Sequence, residues 1–197
     1  MYADFLKTLA EVESWPKLKT KEDVEAYVKQ NIADGADYQK LMHESGVALG
    51  AQFAYPTQEF QKWVTDTAHS HGLVVVAHAT SLPDTLDVLR AGVDGLTHTF
   101  IDQPPTPELI AAYKERNAWL NPTLTAMGSL TAEGQADQEL FAHHPLAQKY
   151  ISEQSRSNLC KCMEFHAQTS RLEYAYESVR QLKAAGIDIV WYLYALY

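Results

Sequence analysis

The sequence predicts an α/β fold built on a parallel sheet, and three observations carry that expectation. A β-branched run, Val74-Val75-Val76, lies between Gly72 and a polar segment and reads as a buried strand. The residues after it hold Leu82, Leu86 and Leu89 at helical spacing and stop at Gly92, so a helix follows the strand. A second short strand, Gly95 to His98, comes next, completing a strand–helix–strand unit. Both strands end in a histidine, His78 and His98. Alternation puts Val74, Val76 and His78 on one face of the first strand, and Leu96 and His98 on one face of the second. In parallel α/β sheets, chemistry gathers beyond the strand C-termini. Either histidine alone reads equally well as a satisfied core or loop residue. Two at matching ends of successive units could meet at one metal ion.

The other elements follow in order. Met1 to Val12 reads as a helix that Trp15-Pro16 breaks. Thr20 is an N-cap with Asp23 as its partner, Val24, Tyr27, Val28 and Ile32 form the apolar face, and Gly35 ends that helix. Asp37 to Met42 is a strand with Tyr38, Lys40 and Met42 on one side and Gln39 and Leu41 on the other. His43 to Tyr55 is a loop placed to touch substrate. Thr57 caps a helix whose Phe60, Trp63, Val64, Thr67 and Ala68 face inward; His69 and His71 near its end read as structural. Thr106 caps a helix with Pro107 in its first turn, and Ala118 to Thr123 is a strand. Residues 125–170 are polar and read as a helical and loop insertion, lid-like in position, in which His143 and His144 before Pro145 form an exposed turn. Leu172, Ala175, Tyr176, Val179 and Leu182 pattern a further helix ending near Gly186, and Ile187 to Val190 is a last strand.

Composition narrows the function. The chain has 197 residues, enough for one domain with a sizeable core, expected to be single over 1–197. Its 16 basic and 25 acidic residues leave a formal charge of −9, which argues against nucleic-acid binding. No run approaches the roughly 20 apolar residues of a membrane span, and no signal-peptide pattern opens the sequence, so a cytoplasmic location is expected. The two cysteines, Cys160 and Cys162, are too few for a disulfide framework. With His166 they could be read as a metal cluster, but positions i, i+2 and i+6 of a helix do not converge.

Four segments resemble the metal-dependent amidohydrolase superfamily, especially its imidazolonepropionase-like and prolidase-like members. Gly35-Ala36-Asp37-Tyr38-Gln39-Lys40-Leu41-Met42 is similar to the family's fourth barrel strand, Val76-Ala77-His78-Ala79 to its fifth, and Ala91-Gly92-Val93-Asp94 leading to His98 to its sixth. Asn121-Pro122-Thr123-Leu124 is similar to the seventh. Gln39 departs from the family's aliphatic residue and puts an amide on the helix-facing side. The resemblance implies a partial TIM-type (β/α)8 barrel, its C-terminal portion from about strand 4 to strand 8. A full barrel typically needs about 250 residues. Relative to the family the sequence is expected to be incomplete at both ends: the first-strand His-x-His is absent, and where the family has Gly-Thr-Asp the chain reads Trp191 to Tyr197 after Val190. That aromatic tail is expected to be out-of-frame or intron-derived coding.

By this resemblance Lys40, His78 and His98 are metal ligands. Lys40 would be carboxylated by carbon dioxide to a carbamate, and the metal would be divalent, zinc above all, one or two in the complete site. The implied activity is a hydrolase that cleaves carbon–nitrogen bonds of amides, lactams or imides, esters not excluded, with metal-activated water on a small-molecule substrate. The catalytic base is unassigned, because the family aspartate after Val190 is missing. With half the ligands absent and support for the histidines expected to be incomplete, the chain should bind at most one metal, weakly, and hydrolyse poorly. The alternative is a catalytically inactive fragment that acts as an interaction module; a single-metal lyase or isomerase is a third reading. Open barrel edges predict self-association into homo-oligomers or aggregates.

Overall fold

The computed structural model describes residues 18–163, 165 and 167–190. The expected helix at Met1 to Val12, the tail from Trp191 and His166 lie outside them.

The predicted starts and stops are present. Helix α1 (Lys21–Ala33) begins at Thr20, whose hydroxyl accepts the Asp23 N–H while the Asp23 carboxylate accepts the Thr20 N–H, a reciprocal cap. Strand β1 (Tyr38–Met42) follows. Helix α2 (Gln58–Ser70) starts at Thr57, whose hydroxyl accepts the Phe60 N–H. Strand β2 (Val74–His78) leads through the Ser81 cap into α3 (Leu82–Ala91), which ends where Gly92 turns left-handed at φ 104°. Strand β3 (Gly95–Thr97), helix α4 (Pro107–Arg116, capped by Thr106) and strand β4 (Trp119–Asn121) complete the repeats.

The four strands pair in chain order, all parallel. The segment predicted as a last strand makes one parallel bridge, Ile189 to Leu120, with Leu120 donating to Asp188 O and Val190 donating to Leu120 O, both at 2.9 Å. Five strand positions therefore stand side by side, as in part of a (β/α)8 barrel.

Register partners point to the same side of the sheet, which sorts the strands into rows. Leu41, Ala77, Leu96 and Leu120 are successive partners and lie at 4 % exposure or less. They face the helices and share one core with Val24 and Val28 of α1, Val64 and Ala68 of α2, Leu86 and Leu89 of α3, and Leu109 and Tyr113 of α4. Truncating a leucine in such a core typically costs about 2–5 kcal/mol. Gln39 also faces the helices, where Asn31 Nδ2 donates to its Oε1 at 2.9 Å and its Nε2 donates to Lys40 O at 3.1 Å. The departure from the family pattern is thus accommodated by an amide pair.

The opposite face carries the rows Lys40–Val76–Gly95–Trp119 and Met42–His78–Thr97–Asn121. At Gly95 a Cβ would fall 2.2 Å from Trp119 Cε2, so the indole lies directly on the glycine backbone. Beyond β4 the chain forms α5 (Leu124–Thr131), α6 (Gln135–Ala142), α7 (Pro145–Gln148) and α8 (Glu153–Leu159), then α9 (Leu172–Ala184). A second apolar cluster joins Met127 and Leu130 of α5 and Leu172 and Ala175 of α9 to Ala48, Leu49 and Ile101 in the loops beyond the strand ends.

Candidate functional site

Lys40, His78 and His98 come from three adjacent parallel strands. Lys40 is the third residue of β1 and pairs in register with Val76, whereas His78, the last residue of β2, pairs with Met42. Lys40 therefore sits one pleat deeper than the strand ends where the sequence reading put it. Burial lowers its pKa to about 8. Among the described residues its ammonium makes no hydrogen bond and no ion pair.

His98 does not follow the expected alternation. Leu96 belongs to the helix-side core, and plain alternation would send His98 there as well. Instead β3 stops at Thr97 and His98 adopts φ 78°, a left-handed conformation that non-glycine residues rarely take. Its N–H still donates to Asn121 O at 2.8 Å. The turn brings its ring against His78, edge to face, with centroids 4.9 Å apart and planes at 80°. Burial, then the charges of His78 and Lys40, push the His98 pKa down to about 3, so the ring is neutral at physiological pH.

Each ring has one nitrogen held by the chain. His78 Nε2 lies 3.2 Å from Glu44 Oε2. His98 Nδ1 is hydrogen-bonded to Thr123 Oγ1, which the left-handed Thr123 backbone (φ 47°) presents at the end of β4. No hydrogen bond among the described residues reaches His78 Nδ1 or His98 Nε2. Support that the sequence reading expected to be incomplete is present on both rings.

Glu44 is itself held firmly. Its Oε1 accepts the Gly46 N–H at 2.7 Å, and its Oε2 accepts the Thr80 hydroxyl. The residues on either side of it are tied to one buried carboxylate, Asp84 in the first turn of α3. Ser45 donates to Asp84 Oδ2 from its N–H at 3.0 Å and from its hydroxyl at 2.7 Å. His43 Nε2 lies 3.2 Å from Asp84 Oδ1, close but out of hydrogen-bond alignment, and His43 Nδ1 accepts from Gln61 Nε2 at 2.6 Å. Burial raises the Asp84 pKa, but the contacts from His43, Ser45 and Ser81 outweigh it and hold the carboxyl below its ordinary value of 3.8.

Glu44 and Asp84 were not singled out in the sequence, and Thr123 entered only as part of the Asn121 to Leu124 motif. For Glu44 a signal existed, because two residues past Met42 it continues the alternation of Lys40 and Met42. Asp84 showed only its place three residues after the Ser81 cap, since the loop residues it holds are 39 and 41 positions away. Among the described residues, His69 and His144 have their partners elsewhere. His69 Nε2 bonds Asp94 Oδ2 at 2.8 Å at the other end of the sheet, where Asp94 also accepts the Val75 N–H. His144 caps the short α7 by accepting the Leu146 N–H. Cys160 is a free thiol, and Cys162 donates to Gln138 Oε1 at 3.0 Å.

Among the described residues no three His, Cys, Asp or Glu side chains form a metal-sized group. The donors at this site are two imidazoles with one open nitrogen each and a desolvated amine. The two open imidazole nitrogens are of a donor type that fits a divalent cation.

No protein-family model and no curated protein sequence matches the chain. Solved structures do. A putative prolidase from Bifidobacterium longum shares 25 % identity over 90 % of this chain and 40 % of its own, with a TM-score of 0.59. A prolidase complexed with N-methylphosphonate-L-proline (20 % identity, TM-score 0.59) covers 88 % of this chain and 38 % of its own. A. niger ochratoxinase (20 % identity, TM-score 0.59) covers 88 % and 35 %. The chain thus has a partial amidohydrolase-like fold. It spans about two-fifths of the length of these relatives. Among the described residues no helix is long and apolar enough to cross a membrane.

Proposed function

We propose that this chain carries the Lys40, His78 and His98 part of a metal-dependent hydrolase acting on carbon–nitrogen bonds of a small molecule, whether amide, lactam or imide. The observation that carries this reading is the edge-to-face contact of His78 and His98, each with an open nitrogen, beside a lysine that burial leaves without a partner. The solved structures it resembles include enzymes named as prolidases and an ochratoxinase, consistent with such a substrate class.

A divalent metal, zinc above all, would polarise the scissile carbonyl and make water acidic enough to attack it. The chain's own residues prepare for that. The neutral His98 offers the Nε2 lone pair when its Nδ1–H donates to the Thr123 hydroxyl, and that contact sets the angle of the ring. Lys40, with its lowered pKa, has a substantial neutral fraction near pH 8 whose nitrogen can bond to the carbon of carbon dioxide. One proton leaves, and an anionic carbamate oxygen becomes available as a ligand.

The test is metal analysis of the chain equilibrated with zinc and ¹³C-bicarbonate, together with Lys40→Met, His78→Ala and His98→Ala. Expected are up to one zinc per chain and a ¹³C carbamate resonance that Lys40→Met abolishes, with metal lost in both histidine variants. Zinc retention equal in all four proteins, or no carbamate at any pH, would overturn the reading. A second reading, an interaction module without catalysis, is favoured by Tyr38, Met42 and Val74, which lie 43–51 % exposed on the same sheet face as the site.

A further inference from the structure

We infer that Glu44 is a positioning residue for His78, and that Asp84 holds Glu44 in place; the inference rests on the metal-site reading above and adds to it the groups that orient one ligand. A carboxylate only accepts hydrogen bonds, so its contact with His78 Nε2 places the ring proton on Nε2 and leaves the Nδ1 lone pair open. Carboxylate–imidazole pairs of this kind fix the tautomer and direction of a metal-binding histidine and raise its basicity. Both oxygens of Glu44 are engaged, by Gly46 N–H on one side and by the Thr80 hydroxyl and His78 on the other, so the carboxylate has one orientation.

The backbone beneath it is equally constrained. Asp84, 4 % exposed, grips Ser45 through two hydrogen bonds and touches His43, and His43 is 1 % exposed with Tyr55 packed edge-on at 4.9 Å. His43 N–H also donates to His78 O at 3.2 Å, tying the loop to the end of β2 itself. One buried carboxylate therefore fixes the positions before and after Glu44, and Glu44 faces the ring. A loop needed only for connection requires none of this.

The experiment has a metal-free arm and a metal arm on the same proteins: wild type, Glu44→Gln, Glu44→Ala, Asp84→Asn and Glu44→Ala/Asp84→Asn. Long-range ¹H–¹⁵N spectra of the ring nitrogens, without metal, should show His78 as the Nε2–H tautomer in wild type. They should show it still largely so in Glu44→Gln, whose amide oxygen can accept, and mixed in Glu44→Ala. Cobalt(II) titration, read from its visible absorption, should weaken about 10–100-fold in Glu44→Ala, with partial rescue by Gln and an unchanged band shape. Asp84→Asn should weaken it less, and the double variant no more than Glu44→Ala alone. Circular dichroism melting separates these effects from unfolding. Nδ1–H His78 in wild type, a tautomer indifferent to Glu44→Ala, or a changed cobalt band shape marking Glu44 as a direct ligand would each overturn the inference. Failure of the wild type to bind cobalt while His78 remains locked by Glu44 would sink the metal reading and leave the positioning role standing.

Discussion

The rings of His78 and His98 meet edge to face 4.9 Å apart, although strand alternation alone would direct them to opposite sides of the sheet. The contact depends on the left-handed backbone of His98, and that conformation has a cost for any residue with a Cβ, larger for a β-branched one. Replacing His98 by valine should destabilise the protein by about 1–3 kcal/mol more than replacing it by glycine, measured by urea unfolding. Equal stabilities would show that the turn at 98 relaxes without the ring.

Gly95 and Trp119 are the tightest pair on the site face. Gly95→Ala should cost about 1–3 kcal/mol, because its new methyl meets the indole at van der Waals overlap. Adding Trp119→Ala to Gly95→Ala should cost less than Trp119→Ala costs alone, a coupling that a double-mutant cycle measures.

Lys40 titrates at about 8 in the folded chain against 10.5 when free. The folded state therefore resists the proton. The penalty is full below pH 8 and vanishes above pH 10.5, so stability from this group rises between those values. Lys40→Met should stabilise the metal-free protein at pH 7 by roughly 1–3 kcal/mol, and the advantage should shrink as pH climbs from 8 to 10.5. Chemical denaturation at pH 7, 9 and 10.5 checks both the sign and the window.

Asp84 behaves oppositely. Its folded pKa lies below 3.8, so its stabilising contribution is complete above that value and disappears as pH falls through the lower, folded one. Asp84→Asn should destabilise at pH 7 by about 1–3 kcal/mol through weakened hydrogen bonds to Ser45 and the lost charge beside His43. The difference from wild type should close as the pH is lowered below 4. A gap that stays constant to pH 3 would mean the charge plays no part.

Strand β1 pairs with β2 alone among the described residues, and Tyr38 and Met42 beside the open edge are half exposed. Such an edge invites pairing. Sedimentation at tens of micromolar should show dimers or larger species, and Tyr38→Lys together with Met42→Lys should shift the chain toward monomer.

Much of this protein is written in short-range pattern. The caps at Thr20, Thr57, Ser81 and Thr106, the stop at Gly92 and the alternation of Val74 to His78 depend on neighbours within four residues, where backbone geometry and period are set locally. Those patterns were enough to order the strands, to separate Leu41 and Gln39 from Lys40, and to place Lys40, His78 and His98 on adjacent strands. Only the tertiary structure decided how they meet. The turn that brings His98 to His78 is a departure from period two, held by Asn121 and Thr123 from the next strand. The carboxylate on His78 comes from 34 residues away, and Asp84 grips its neighbours from 39 and 41 residues beyond them. Contacts of that separation form when packed helices and paired strands bring distant loops to one end of the sheet, and no local period in the sequence encodes them.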